Sequence, residues 1–132
     1  MSRRLLLVDD DDAIRTIAAI SLERVGGWTV IPASSGRAAL EAAQDDGPFD
    51  AVLLDVMMPD LDGPATLQLL REGVLQPAVP VVFLTAKVGE PEETRLRSLG
   101  AAGVIAKPFD PLALPEELQW LLDGPREHPP QT

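Results

Sequence analysis

Five short apolar runs recur about every 25 residues, and their spacing constrains the fold more than any other feature of the chain. They are "RLLLV" (Arg4–Val8), "TVIPA" (Thr29–Ala33), "AVLLD" (Ala51–Asp55), "VVFLT" (Val81–Thr85) and "GVIA" (Gly103–Ala106). Three are nearly continuous rather than alternating in hydrophobicity, the pattern of parallel strands covered on both faces. Helix-length segments fill the intervals. The clearest is residues 13–25, where Ile14, Ile17, Ala18, Leu22 and Val25 form one expected apolar stripe and Gly26-Gly27 ends it. Residues 35–45, 64–74 and 91–99 are the next three, with Gly100 as the stop of the last. In "DPLALPEELQWLL" the second proline cannot sit inside a helix, so the fifth is expected to begin near Pro115. Strands alternating with helices make a doubly wound α/β domain with a five-stranded parallel sheet.

At 132 residues the chain has the length of one domain, and 45% hydrophobic with 24% charged residues is a globular composition. The division expected is a folded domain over 1–123 and a polar, proline-rich tail over 124–132, where the sole histidine, His128, lies. Acidic residues outnumber basic ones 21 to 11, a net charge of -10 that disfavours direct contact with nucleic acid or an anionic membrane. No apolar run reaches the length of a membrane span or a signal-peptide core, and no cysteine is present for disulfides or thiolate metal sites. A cytoplasmic location is the expectation.

In an open α/β sheet, ligands bind beyond the carboxyl ends of the strands, where strand order reverses. That rule selects Asp9 and Asp10 after the first strand, Asp55 ending the third, Thr85 ending the fourth and Lys107 after the fifth. Two carboxylates about 5 Å apart repel by about 3 kcal/mol at an effective dielectric near 20, so three together need compensation. A hard divalent cation supplies it, and a few oxygen ligands suit Mg²⁺. A carboxylate nucleophile beside Mg²⁺, a lysine and a hydroxyl points to phosphoryl transfer onto aspartate.

The segments "LLLVDDDDAIR", "ASSGRAAL", "FDAVLLDVMMPDLDG", "VPVVFLTA" and "GAAGVIAKPFDP" stand in the order and spacing of a known family. Over residues 3–122 the chain resembles the receiver domain of bacterial two-component response regulators. The resemblance implies strand order 2-1-3-4-5, a flavodoxin-like arrangement, with Asp55 as phospho-acceptor. It further implies Mg²⁺ held by Asp9, Asp10, Asp55 and the Met57 carbonyl, Thr85 as the hydroxyl that moves to the phosphoryl group, and Lys107 as its cationic contact. The peptide between Lys107 and Pro108 is expected to be cis. The implied partners are a histidine kinase or histidine phosphotransfer protein and an unknown downstream protein, with the chain a monomer or weak dimer. It would catalyse its own phosphorylation and dephosphorylation without turning over an external substrate.

Asp11 and Asp12 fall outside the pair, and one of them is expected to cap the following helix. A receiver fold serving only as a non-phosphorylated binding scaffold is the main rival, and it predicts loss of an acid, the threonine or the lysine. A free-standing phosphohydrolase is a third reading, opposed by Met57 where a second acid would stand two residues after the nucleophile. Two departures from the family pattern concern output. Val104 occupies a position that usually carries Tyr or Phe, and Pro115 alters the fifth helix. Trp28 is expected to pack at the start of the second strand. Trp120 fits either the core or a contact surface. A DNA-binding segment is not expected within the chain.

Overall fold

The computed structural model describes residues 3–87 and 89–124. In chain order the elements are β1 (Arg4–Val8), α1 (Asp12–Arg24), β2 (Thr29–Ala33), α2 (Gly36–Asp45), β3 (Ala51–Asp55), α3 (Gly63–Glu72), β4 (Val81–Thr85), α4 (Glu90–Ser98), β5 (Gly103–Ala106) and α5 (Leu114–Asp123). The strands pair in parallel in the order β2-β1-β3-β4-β5. All five expected strands form, and α5 begins one residue before Pro115. Gly124 is described as the residue closing α5; the rest of the expected tail, with His128, lies outside the described residues.

Because successive strand side chains face opposite ways, each apolar run feeds two cores. Leu6, Val8, Val52, Leu54, Val81 and Phe83 meet α2, α3 and α4 through Ala39, Ala42, Leu67, Leu70 and Leu96. Leu5, Leu7, Ala51, Leu53, Val82 and Leu84 meet α1 and α5 through Ala18, Leu22, Leu114 and Leu118. The continuous runs are therefore read correctly as central strands. Truncating one of these fully buried leucines, such as Leu53→Ala, costs about 2 to 5 kcal/mol through lost transfer energy and the cavity left behind.

The stripe expected on α1 needs correction. Ile14, Ala18 and Leu22 face the sheet, but Ile17 is 46% exposed and Val25, already past the last helical residue, is 55% exposed. Ser21 shares the buried face with them, and its hydroxyl donates to the Pro111 carbonyl across the loop after β5. A polar residue at that point is satisfied by its partner, so it need not interrupt the packing. Asp11 is the N-cap of α1, accepting from the backbone N–H of Ala13 and Ile14 at 2.9 and 3.1 Å. Gly27 and Gly100 adopt positive φ after α1 and α4, as their helix-ending positions require. Trp28 is buried on the α1 side of the sheet, with Arg3 stacked 4.4 Å from its ring centroid.

Register carries the chain ends of four strands to one place. Val8 pairs with Leu54, which sets Asp9 level with Asp55. Asp55 pairs with Leu84, and Thr85 with Ala106, so Thr85 and Lys107 follow one step further along the same edge.

Candidate functional site

The carboxylates of Asp9, Asp10 and Asp55 each place an oxygen within 4.8 Å of the others. Asp9 and Asp55 are buried and Asp10 is exposed, so the cluster opens to solvent on one side. The β1–α1 turn holds Asp9 firmly: its Oδ1 accepts from the Asp11 N–H at 2.9 Å. Lys107 Nζ lies 2.8 Å from Asp9 Oδ2 and donates to Asp55 Oδ1 at 3.0 Å. The contact with Asp9 is an ion pair off the hydrogen-bonding directions, which leaves Asp9 Oδ2 buried with no aligned donor.

Burial pushes the Asp55 carboxyl up from 3.8 to about 6, against the pull of its hydrogen bond from Lys107; Asp9 and Asp10 push it further upward. Burial lowers the Lys107 ammonium, but its attraction to the Asp9 and Asp55 carboxylates outweighs that and raises it. The lysine therefore stays charged at neutral pH while the Asp55 carboxylate is only modestly favoured over its acid.

Thr85 ends β4 with its side chain 1% exposed. Its Oγ1 accepts from the Lys87 N–H at 3.0 Å and donates to the Lys87 carbonyl at 3.3 Å, so the hydroxyl is spent on the β4–α4 loop. Met57 follows β3 by two residues and its side chain is 77% exposed. The Lys107-Pro108 peptide is cis. Thus Asp9, Asp10, Asp55 and Lys107 meet directly, and Thr85 stands on the adjacent strand with its hydroxyl turned to the loop.

The donor set fits a hard divalent cation: three convergent carboxylates, one with a buried oxygen lacking an aligned donor. Sequence reasoning missed two supporting residues. Arg15 reaches back from α1 and donates through Nη1 to the Asp9 carbonyl at 2.8 Å. Gly63 starts α3 directly against the backbone of Asp55. Neither carries a residue-type signal, since each acts on a backbone oxygen of the turn before its own helix, and only the path of that turn brings the two together. Val104 is half-buried against the α2–α4 side of the core, and Trp120 is half-buried on α5.

The family model described as "Response regulator receiver domain" matches residues 5–119. The chain is 40% identical over 111 residues to the alkaline phosphatase synthesis transcriptional regulatory protein PhoP of Bacillus subtilis (strain 168), covering 84% of this chain and 45% of that protein. It is 37% identical over the same length to the transcriptional regulatory protein SrrA of Staphylococcus aureus (strain NCTC 8325 / PS 47), covering 84% and 44%. The chain thus spans less than half the length of these curated relatives. Among solved structures, the chemotaxis response regulator CheY4 of Vibrio cholerae superposes with a TM-score of 0.85 at 31% identity, covering 92% of this chain and all of that one.

Proposed function

This chain belongs to the response regulator receiver domain family, and from that premise we propose that it is a signalling switch in which Asp55 accepts a phosphoryl group in a Mg²⁺-dependent reaction. The observation that supports this most is the Lys107–Asp55 pair at 3.0 Å beside two further carboxylates. An isolated structural ion pair has no use for the excess acid.

Asp9, Asp10, Asp55 and the Met57 carbonyl would hold the cation. When bound, Mg²⁺ neutralises charge on the incoming phosphoryl group. The chain's own residues do the rest. Above pH 6 the Asp55 carboxylate predominates as nucleophile, since its acid form titrates at about 6. An Asp55 oxygen bonds to phosphorus as the bond from phosphorus to the donor breaks, and the donor leaves with the electron pair. Lys107, freed from Asp55 by that bond, offers its ammonium to a phosphoryl oxygen. Thr85 then exchanges its loop partners for the phosphoryl group, which alters a protein-binding surface around β5, α4 and α5.

The donor partner is a histidine kinase or histidine phosphotransfer protein, and the output partner is another protein. Residues 1–123 act as the phospho-accepting domain, cytoplasmic and monomeric or weakly dimeric. Among the described residues no helix is long and apolar enough to cross a membrane. Incubation with acetyl phosphate and Mg²⁺, followed by intact-mass measurement, should show one added phosphoryl group that is absent without Mg²⁺ and absent in Asp55→Asn. An unmodified wild type would return the chain to the scaffold reading.

A further inference from the structure

We propose that Arg15 is a positioning residue for the metal-binding carboxylates, holding the backbone from which Asp9 and Asp10 project; this rests on the reading that the site takes Mg²⁺. Its guanidinium bridges two points of the four-aspartate turn. Nη1 donates to the Asp9 carbonyl at 2.8 Å, and Nη2 pairs with Asp12 Oδ1 at 2.5 Å. The Arg15 side chain is largely buried, at 19% exposure, whereas Asp12 is 89% exposed. The buried end of the fork is therefore the bond to the Asp9 carbonyl, and Asp12 orients the guanidinium from outside.

This clamp completes a closed set of bonds. Asp9 Oδ1 accepts from the Asp11 N–H, Asp11 caps α1, the Arg15 N–H donates to the Asp11 carbonyl at 2.9 Å, and the Arg15 side chain returns to the Asp9 carbonyl. Asp10, exposed and between the two fixed points, has its backbone direction set by this ring. A planar fork bridges a carbonyl and a carboxylate in a fixed geometry that a lysine ammonium cannot reproduce.

Electrostatics and positioning predict opposite signs. Removing a cation near three carboxylates strengthens their attraction for Mg²⁺ if charge is all that Arg15 supplies. Loosening the turn weakens it. Residues that orient metal ligands through hydrogen bonds are worth about tenfold or more in affinity, so Arg15→Ala is expected to bind Mg²⁺ about tenfold more weakly. Arg15→Lys keeps the charge and loses the fork, and is expected to bind about threefold more weakly.

The test is Mg²⁺ titration of the whole chain followed by backbone amide NMR, with metal-free hydrogen exchange of the Asp11 and Ala13 amides measured alongside. Faster exchange at those two amides with weakened Mg²⁺ binding supports the clamp. Equal or tighter binding in Arg15→Ala overturns it. If that variant fails to fold, Arg15→Lys decides alone, and wild-type affinity there overturns the proposal. A wild type that binds no Mg²⁺ sinks the metal reading itself, a result distinct from any in the variants.

Discussion

A Cβ on Gly63 would lie 2.4 Å from the Asp55 carbonyl oxygen, and also 2.9 Å from Val56 Cα and 3.0 Å from the Phe83 ring. The first turn of α3 is thereby seated on the backbone of Asp55, with the Gly63 N–H donating to the Val56 carbonyl at 2.8 Å. Two of those three neighbours are backbone and cannot rotate away. Gly63→Ala should cost about 1 to 3 kcal/mol, the range for overpacking a dense interior, or roughly 4 to 15 °C in melting temperature. Because the strain falls on Asp55, phosphorylation should slow as well, while the neighbouring Ala65→Gly should change stability only by its helix propensity, about 1 kcal/mol. Calorimetry and acetyl phosphate labelling of the two variants check both expectations.

The raised Asp55 carboxyl makes metal-free stability depend on pH. Between about 4 and 6 the folded state holds a proton that the unfolded chain releases, so stability falls as pH rises through that window. The contribution is about 3 kcal/mol at most, present below pH 4 and lost above pH 6. Urea unfolding in EDTA should therefore find Asp55→Asn more stable than wild type at pH 7.5, with the gap closing towards pH 4. A constant gap across that range would mean that the carboxyl is not raised.

Asp10 is the exposed member of the acidic cluster, so its replacement separates metal binding from folding. Without metal, Asp10→Asn should be at least as stable as wild type, since it removes one of three mutually repelling carboxylates. Mg²⁺ affinity should drop at least about tenfold with one of few carboxylate ligands gone. Amide shifts during Mg²⁺ titration report this directly, and unchanged binding would place the cation elsewhere.

The hydroxyl of Thr85 is committed to both backbone groups of Lys87, whose ammonium lies 3.7 Å from Glu92 at the start of α4. Glu92 is buried and paired with Arg95 at 2.5 Å. Withdrawing the hydroxyl frees Lys87 and disturbs that pairing. Beryllofluoride, a mimic of the phosphoryl group, should shift the amides of Thr85, Lys87 and residues 89–93, and Thr85→Ala should abolish the shifts beyond Lys87. Shifts confined to the surroundings of Asp55 and Lys107 would show that output does not travel through α4. Val104, too small to swing as an aromatic ring does, gives this route its weight.

The strands were legible because each is short, apolar on both faces and bounded by polar residues, and the meeting of Asp9, Asp10, Asp55 and Lys107 was legible because register delivers strand ends to one edge. A cap at Asp11 or Asp12 was readable since capping is local, and the structure puts it at Asp11. Val25 was misplaced because α1 ends at Arg24, and Ser21 was missed because periodicity does not reveal that it finds a partner at Pro111, 90 residues along the chain. Arg15 and Gly63 were invisible for a different reason: each meets backbone atoms six to eight residues before it, through turns whose path their residue types do not reveal. Glu92 was hidden too, since a buried carboxylate on an otherwise charged helix becomes evident only when its cations are placed.

The pairing of Lys107 with Asp9 joins the first strand to the last, so nearly every residue of the domain must be in place before the acidic pocket has its cation. During synthesis, a nascent chain that has not yet released Lys107 from the ribosome carries every carboxylate but cannot assemble the pocket. Long sequence separation of this kind makes contacts late in folding. The pocket is thus complete only in a chain folded through β5: a copy cut short of Lys107 carries the carboxylates without the cation that pairs with them.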